Sequence, residues 1–145
     1  MAIRYYIDCE GFHFNQRRLI SAWLKAVALS LGYRVGDVNV IFTSSEKLLE
    51  VNRQFLQHDY LTDIITFDES DLDEGFISGE LYIDTQTVND NAALFSRPAI
   101  EELHRVVVHG VIHLCGQGDK SEVEATEMRE KEQAALALLA KMSKI

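Results

Sequence analysis

Hydrophobic positions recur with two different periods along the chain, and the change of period divides it into strands and helices. Alternating or β-branched apolar runs are typical of strands, whereas apolar positions three and four residues apart are typical of amphipathic helices. The strand pattern occurs over 3–9, 37–43, 62–67 and 79–84. The helix pattern occurs over 15–33, from Ser44 or Ser45 to Phe55, over 85–95, over 98–115, and from Ser121 to Met142.

Segment 98–115 is the one ambiguous element, because its stretch VVVHGVIHLC would also suit a buried strand. Signals at both ends favour a helix. Pro98 suits a first turn, and Glu101 and Glu102 suit the positive end of a helix dipole. Gly116 suits a C-terminal cap. The last helix has a clear start, since Ser121 and Glu124 have the spacing of a capping box.

Nothing in the chain suggests a second domain. No repeat, low-complexity tract or linker interrupts the 145 residues, a length that suits one core. The acidic segment 68–78 is predicted to be a loop, with Gly75 and Gly79 supplying turns. The sequence therefore predicts a single α+β domain over 1–145, in which a small mixed β-sheet of about four strands packs with about five helices.

Composition indicates the cellular compartment in which the protein works. No apolar run approaches the roughly 20 residues that a membrane span needs, and the first residues do not resemble a signal peptide. Cys9 and Cys115 lie far apart and resemble reduced thiols rather than a disulfide framework. We therefore expect a cytoplasmic protein without a membrane partner.

Charge restricts how the protein can bind nucleic acid. The net charge is −9, and residues 45–84 alone carry −9, from eleven acids against two bases. Tight sequence-independent binding to nucleic acid normally needs a basic surface. In this protein a local basic patch or a bound cation would have to supply the positive charge. The candidates for such a patch are Arg17, Arg18, Lys25 and Arg105.

The string HGVIHLCGQGD contains the strongest chemical signal. His109 and His113 are four residues apart, so on a helix they lie about 40° apart and share one face. Two imidazoles placed in this way can bind one cation. Gly116 and Gly118 would let the chain turn back and bring Asp119 to the same face as a third ligand. The alternative, which is common for so short a motif, is that both histidines are structural, as we expect for His104.

Such a donor set suits hydrolysis. Two histidines and one carboxylate leave a zinc ion with one open position, and zinc lowers the pKa of water there to about 7. In zinc peptidases of the H-E-x-x-H type, the residue after the first histidine is the glutamate that acts as general base. Gly110 occupies that position in this chain. Cleavage of a phosphodiester is therefore favoured over cleavage of an amide.

Three motifs, in the same order, resemble the YbeY endoribonucleases, which are bacterial rRNA maturation factors. HGVIHLCGQGDK resembles the family signature H-G-x-L-H-L-x-G-Y-D-H. VNRQFLQHDYLTDIITFD (51–68) is similar to L-N-x-x-Y-R-x-x-D-x-P-T-D-V-L-S-F. GELYIDTQTVNDNA (79–92) is similar to the family's G-D-I-x-I-S strand and the helix after it.

The resemblance implies an α+β fold, one zinc ion on the H-G-x-x-H helix and cleavage of single-stranded RNA. It also implies a role in 16S rRNA 3′-end maturation and ribosome quality control, with the ribosome or ribosome-associated proteins as partners. His109 and His113 match the first two ligands, and Asp119 aligns with the family's third histidine. Leu56 replaces a family arginine, and Arg53 or His58 is predicted to substitute for it in the catalytic site.

The sequence leaves two other functions open. One is a metallopeptidase-like amide hydrolase that uses the same helix, although Gly110 counts against it. The other is a non-catalytic ribosome assembly factor in which zinc only stabilises the C-terminal turn.

Overall fold

Four strands and five helices form the described part of the protein, which confirms the predicted α+β class. A computed structural model describes residues 2–56 and 62–144, with the side chains of 55 and 56 excepted. The strands are β1 (Ile3–Asp8), β2 (Arg34–Thr43), β3 (Ile64–Asp68) and β4 (Phe76–Asp84). The helices are α1 (Arg17–Ser30), α2 (Ser45–Leu56), α3 (Thr85–Leu94), α4 (Ala99–Leu114) and α5 (Glu122–Met142).

The four strands form one mixed sheet in the order β1-β2-β4-β3. β1, β2 and β4 run parallel, and β3 pairs with β4 in the antiparallel sense. Parallel neighbours need a crossover, which α1 supplies between β1 and β2. β1 and β3 are therefore the two edges of the sheet.

The core lies between one face of the sheet and the helices α1, α4 and α5. Val38, Val40 and Phe42 of β2 are fully buried, as the alternating pattern predicts. The indole Nε1 of Trp23 in α1 donates a hydrogen bond to the carbonyl of Ala135 in α5 at 2.7 Å. These contacts hold α4, which is apolar over most of its circumference, in the middle of the domain.

The structure corrects the predicted role of Gly79. The sequence places this residue in a turn before the strand, but β4 already begins at Phe76 and includes Gly79. A Cβ atom at Gly79 would lie only 2.2 Å from the carbonyl oxygen of Phe67 in β3. The glycine therefore allows the close approach of two paired strands. Gly75, in contrast, has the positive φ of 84° that a turn residue uses.

Local signals at the helix ends agree with the structure. The Ser121 side chain accepts from the backbone N–H of Glu124, and the capping box is complete. The side chain of Ser44 accepts from the backbone N–H of Lys47 at 3.3 Å and so caps α2. Asp84 caps α3 in the same way. The sequence therefore identifies the starts of α2 and α5 correctly.

The described residues contain no membrane-spanning helix and hold both cysteines as free thiols. Across 2–56 and 62–144, no helix is both long and apolar enough to cross a membrane. Cys9 and Cys115 are free and half-buried. Burial raises the pKa of the Cys115 thiol to about 11, so this thiol stays protonated at neutral pH.

Candidate metal centre

A cleft with a volume of about 290 Å³ opens beside β3, the edge strand opposite β1. The start of β3 forms one wall and α4 forms the other, while α2 closes one end. Among the described residues, it is lined by Asn52, Thr62, Asp63, Ile64, Ile65, Thr66, His109, His113, Asp119 and Lys120. All three residues that the sequence predicts as metal ligands are therefore in one cleft.

His109 and His113 lie one turn apart on the face of α4 that borders the cleft. Their rings are nearly parallel, with an interplanar angle of 7° and centroids 6.4 Å apart. The residues around them on α4, Val108, Gly110 and Ile112, are buried in the core. Because this buried surface fixes the rotation of the helix, both imidazoles point to the same side.

Glu132 of α5 fixes the orientation of His109. The ring Nδ1 lies 2.6 Å from Oε2 of Glu132, which is only 3% exposed. A carboxylate can only accept, so Nδ1 carries the hydrogen and Nε2 is left to face the cleft. Burial by itself would lower the pKa of His109, but the hydrogen bond and charge of Glu132 outweigh it and the pKa is raised.

The end of α4 fixes the orientation of His113. Gly116 adopts a positive φ of 98°, and the N–H of Gln117 donates back to the carbonyl of Ile112 at 3.4 Å. This is a Schellman turn, which reverses the chain immediately after the helix. The reversed chain brings the carbonyl of Gln117 within 2.9 Å of Nδ1 of His113. That Nδ1 is therefore also a donor, and Nε2 is again the free nitrogen.

Asp119 approaches the first histidine from the loop that follows. Its Oδ2 lies 3.4 Å from Nε2 of His109, and its side chain is 40% exposed. Gly118 contributes differently from the expectation, because its φ is not in the positive range. A Cβ there would lie 2.3 Å from Oε2 of Glu124, so the glycine leaves space for the capping-box carboxylate.

These donors match zinc in chemistry, although they are not gathered around one point. Two Nε2 atoms with their Nδ1 atoms held by acceptors, plus one carboxylate, form the nitrogen and oxygen set of hydrolytic zinc sites. Within residues 2–56 and 62–144, no three His, Cys, Asp or Glu side chains stand close enough together to form a ready cluster. The exposed Asp119 has the rotational freedom to complete the set.

A buried network of charges supports Glu132 from behind. Glu102 of α4 is fully buried and binds Arg105 through two nitrogens, with Nε–Oε1 at 2.7 Å and Nη2–Oε2 at 2.6 Å. Arg105 then donates from Nη1 to Oε1 of Glu132 at 2.9 Å. The sequence predicts that Arg105 belongs to an RNA-binding patch, and this prediction is wrong. Its guanidinium is held between two carboxylates, which also raise its pKa.

Sequence reasoning missed Glu132, although a signal for it exists. The apolar stripe of α5 passes through Met128, Glu132, Ala135 and Leu139, all of which are buried. A charged residue at a stripe position has to be paired in the folded protein. The stripe therefore marks Glu132 as a buried charge, but it does not identify His109 as the partner.

Asn52 and Asp63 are two further cleft residues that the motif does not reveal. Asn52 of α2 is 1% exposed and lines the cleft. Asp63, immediately before β3, also lines the cleft. Burial raises the pKa of its carboxyl group, with the charges of His109 and Arg105 acting in the opposite direction.

The other predicted site residues remain predictions. Arg53 is exposed on α2, next to Asn52, and does not line the cleft among the described residues. His58 lies outside the described residues, as does the side chain of Leu56. Arg17, Arg18 and Lys25 lie beside β1, at the opposite edge of the sheet from the cleft. They therefore do not extend the cleft directly.

Gly110 is buried where α4 crosses the sheet. A Cβ atom there would lie 2.8 Å from Cδ1 of Ile64 and 2.9 Å from both methyl carbons of Leu81. The position thus faces the sheet, and a glutamate there would enter the core. This packing gives a physical reason for the absence of the peptidase-type general base.

We expect Gly110→Ala to destabilise the fold by about 1–3 kcal/mol, because the added methyl group overpacks the contact between helix and sheet. Helix propensity alone predicts the opposite sign, a gain of about 1 kcal/mol. Urea denaturation monitored by circular dichroism measures the difference. A more stable variant would show that this contact is not tight.

Comparison with known proteins relates the chain to one family. The family model described as Endoribonuclease YbeY matches residues 7–140. A protein named Endoribonuclease YbeY from Parabacteroides distasonis is 49% identical over 139 residues, covering 96% of each chain. Its namesake from Bacteroides thetaiotaomicron is 46% identical over 138 residues, covering 95% of this chain and 99% of the relative.

A solved structure has the same fold. The solution structure of TM1509 from Thermotoga maritima superposes with a TM-score of 0.67 at 27% identity. The match covers 98% of this chain and 91% of that one. Sequence and fold thus agree over nearly the whole length. The chain belongs to the Endoribonuclease YbeY family.

Proposed function

We propose that this protein is a metal-dependent endoribonuclease that cleaves single-stranded RNA at the cleft beside β3. The observation that carries the proposal is the arrangement of the two histidines. His109 and His113 both turn Nε2 toward one cleft, while separate acceptors hold each Nδ1. Histidines with only a structural role would have no need for this matched orientation.

In this proposal His109, His113 and Asp119 hold one zinc ion. When bound, the ion would act as a Lewis acid and lower the pKa of water at its open position to about 7. Glu132 keeps His109 in the tautomer that binds metal, and Gln117 does the same for His113. Lys120, which also lines the cleft, adds a positive charge for an RNA phosphate.

We infer the biological substrate from the family. Relatives with nearly half of their residues identical carry the name Endoribonuclease YbeY. We assign this chain the same activity, on rRNA in the cytoplasm, in 16S rRNA 3′-end maturation and ribosome quality control. The ribosome or a ribosome-associated protein would deliver the RNA, so little intrinsic affinity for free RNA is needed.

The packing at Gly110 disfavours the peptidase alternative, because no side chain fits where that class carries its general base. The non-catalytic alternative, in which zinc only stabilises the C-terminal turn, makes a different prediction about activity. A folded, metal-free protein would then support rRNA processing as well as the metal-loaded one does.

One experiment tests the function against both alternatives. The purified protein is analysed for metal, and its activity on single-stranded RNA and on casein is measured before chelation, after chelation and after zinc is restored. We expect RNA cleavage that disappears with the metal and returns with zinc, and no proteolysis. Cleavage of casein, or RNA cleavage that is unchanged in protein shown to be metal-free, would overturn the proposal.

Glu132→Gln should weaken metal binding by about 10–100-fold, the usual effect of losing the outer partner of a histidine ligand. The amide keeps the size of the side chain but removes the negative charge next to Nδ1 of His109. Competition with a chelating dye measures the affinity. Glu130→Gln is the matched control, because Glu130 is exposed on the same helix. Equal affinities for the two variants would show that Glu132 does not support the ligand.

A further inference from the structure

A second concave surface lies at the β1 edge of the sheet, between that strand and α1. This groove has a volume of about 680 Å³. It is lined by Ile3, Arg4, Tyr5, Tyr6, Arg17, Arg18, Ser21, Ala22 and Lys25. The hydroxyl groups of Tyr5 and Ser21 lie 2.9 Å apart and connect the strand to the helix across it.

The charge of this groove is opposite to that of the whole protein. Its lining includes three cationic residues of α1, Arg17, Arg18 and Lys25, and no acidic residue, whereas the protein carries −9. Arg4 also borders the groove, but its side chain projects from the other face of β1, where it lies 3.7 Å from Asp37. The cleft beside β3 has only Lys120 against Asp63 and Asp119 among its described lining. The groove is therefore the more favourable of the two surfaces for a polyanion.

The positions of the cations along α1 suit an extended ligand. Arg17 and Arg18 begin the helix and Lys25 lies two turns later, about 11 Å along the axis. Between them, the small side chains of Ser21 and Ala22 leave the groove floor open. Cations separated along one helix suit the phosphates of a single nucleic-acid strand.

The groove and the metal cleft lie at opposite sheet edges, about 15 Å apart across three strand spacings. Because α1 runs back along β1, its first residue, Arg17, lies toward the C-terminal end of that strand. The cleft is at the same end of the sheet, since Ile64 at the start of β3 pairs with Ile83 near the end of β4. One RNA strand can therefore reach both surfaces.

We propose that the groove between β1 and α1, with Arg17, Arg18 and Lys25, binds the phosphate backbone of single-stranded RNA at a distance from the site of cleavage. The inference rests on the proposed endoribonuclease function, because it identifies where that substrate is held. A simpler explanation is that the cations only prevent another strand from pairing with the free edge of β1. The two explanations differ in what neutral side chains would do to RNA binding.

The test compares two triple variants with equal charge. Arg17→Gln, Arg18→Gln and Lys25→Gln neutralise the groove, and Arg129→Gln, Lys141→Gln and Lys144→Gln neutralise three exposed cations on α5 and just after its end, outside the groove. Binding of fluorescent single-stranded poly(U) is measured by anisotropy at several salt concentrations, with chelator present to prevent cleavage. Metal content, kcat and KM are measured separately on the metal-loaded proteins.

We expect the groove variant to bind poly(U) at least tenfold more weakly and to lose about 2 from the slope of log K against log salt, about 0.7 for each lost phosphate contact. Its KM should rise while its kcat and metal content stay at the parent values. The α5 variant should behave like the parent.

Equal RNA binding by the groove variant and the parent would overturn the inference, even if the parent cleaves RNA normally. Binding of polyglutamate as tight as that of poly(U), with the same loss in the groove variant, would also overturn it in favour of an acidic protein partner. If the parent binds poly(U) through the groove but never cleaves RNA, the proposed function fails and the groove remains an RNA site. The two failures are therefore distinguishable.

Discussion

Replacing His113 with alanine is expected to remove bound metal and RNA cleavage together while the fold survives. His113 is half-buried at the border of the cleft, so its loss leaves no large cavity in the core. A single histidine and one carboxylate cannot hold zinc against a buffer, because such sites need three protein ligands. Metal analysis after dialysis, an RNA digest and circular dichroism measure the three outcomes.

His13→Ala is the matched control for this variant. His13 is exposed in the connection between β1 and α1 and does not line the cleft. It should keep both the metal and the activity of the parent. If the His113 variant retains one zinc ion per chain, the site on α4 is wrong, whatever happens to cleavage.

Asp119→Ala should lower metal affinity by more than about a hundredfold, which exceeds the effect expected from losing an outer-sphere partner. The carboxylate lies 3.4 Å from Nε2 of His109 and, among the described residues, is the nearest anionic oxygen to it on the cleft side. Its loss leaves two neutral imidazoles as the whole donor set. The affinity is measured by competition with a chelating dye, beside the parent.

Asp119→His separates a ligand from a general charge effect. It restores the three-histidine set that the family signature carries, and it removes a negative charge as the alanine variant does. We expect it to retain the metal and RNA cleavage. If the alanine variant binds zinc as tightly as the parent, Asp119 is no ligand. If the histidine variant loses the metal as completely as the alanine variant, the position holds the metal by charge alone.

Much of the fold could be predicted because its signals are local. Alternation in β2 and the capping box at Ser121 involve residues a few positions apart, so the sequence displays them directly. Gly79 marks the limit of such local prediction. This position requires a glycine because the carbonyl of Phe67 approaches it, and that approach occurs only when β3 pairs with β4. A glycine next to an acidic segment suggests a turn unless the pairing is known.

The same division applies to the site. The sequence by itself determined that His109 and His113 share a face of one helix, and that Gly116 ends this helix, because backbone geometry relates residues within one turn. Only the tertiary structure decided that Glu132 orients the His109 ring and that Arg105 forms ion pairs with two carboxylates. It also decided that Arg17, Arg18 and Lys25 lie at the other sheet edge. These contacts depend on how helices and strands pack, and that packing is set by the burial of the whole core rather than by the spacing of any motif.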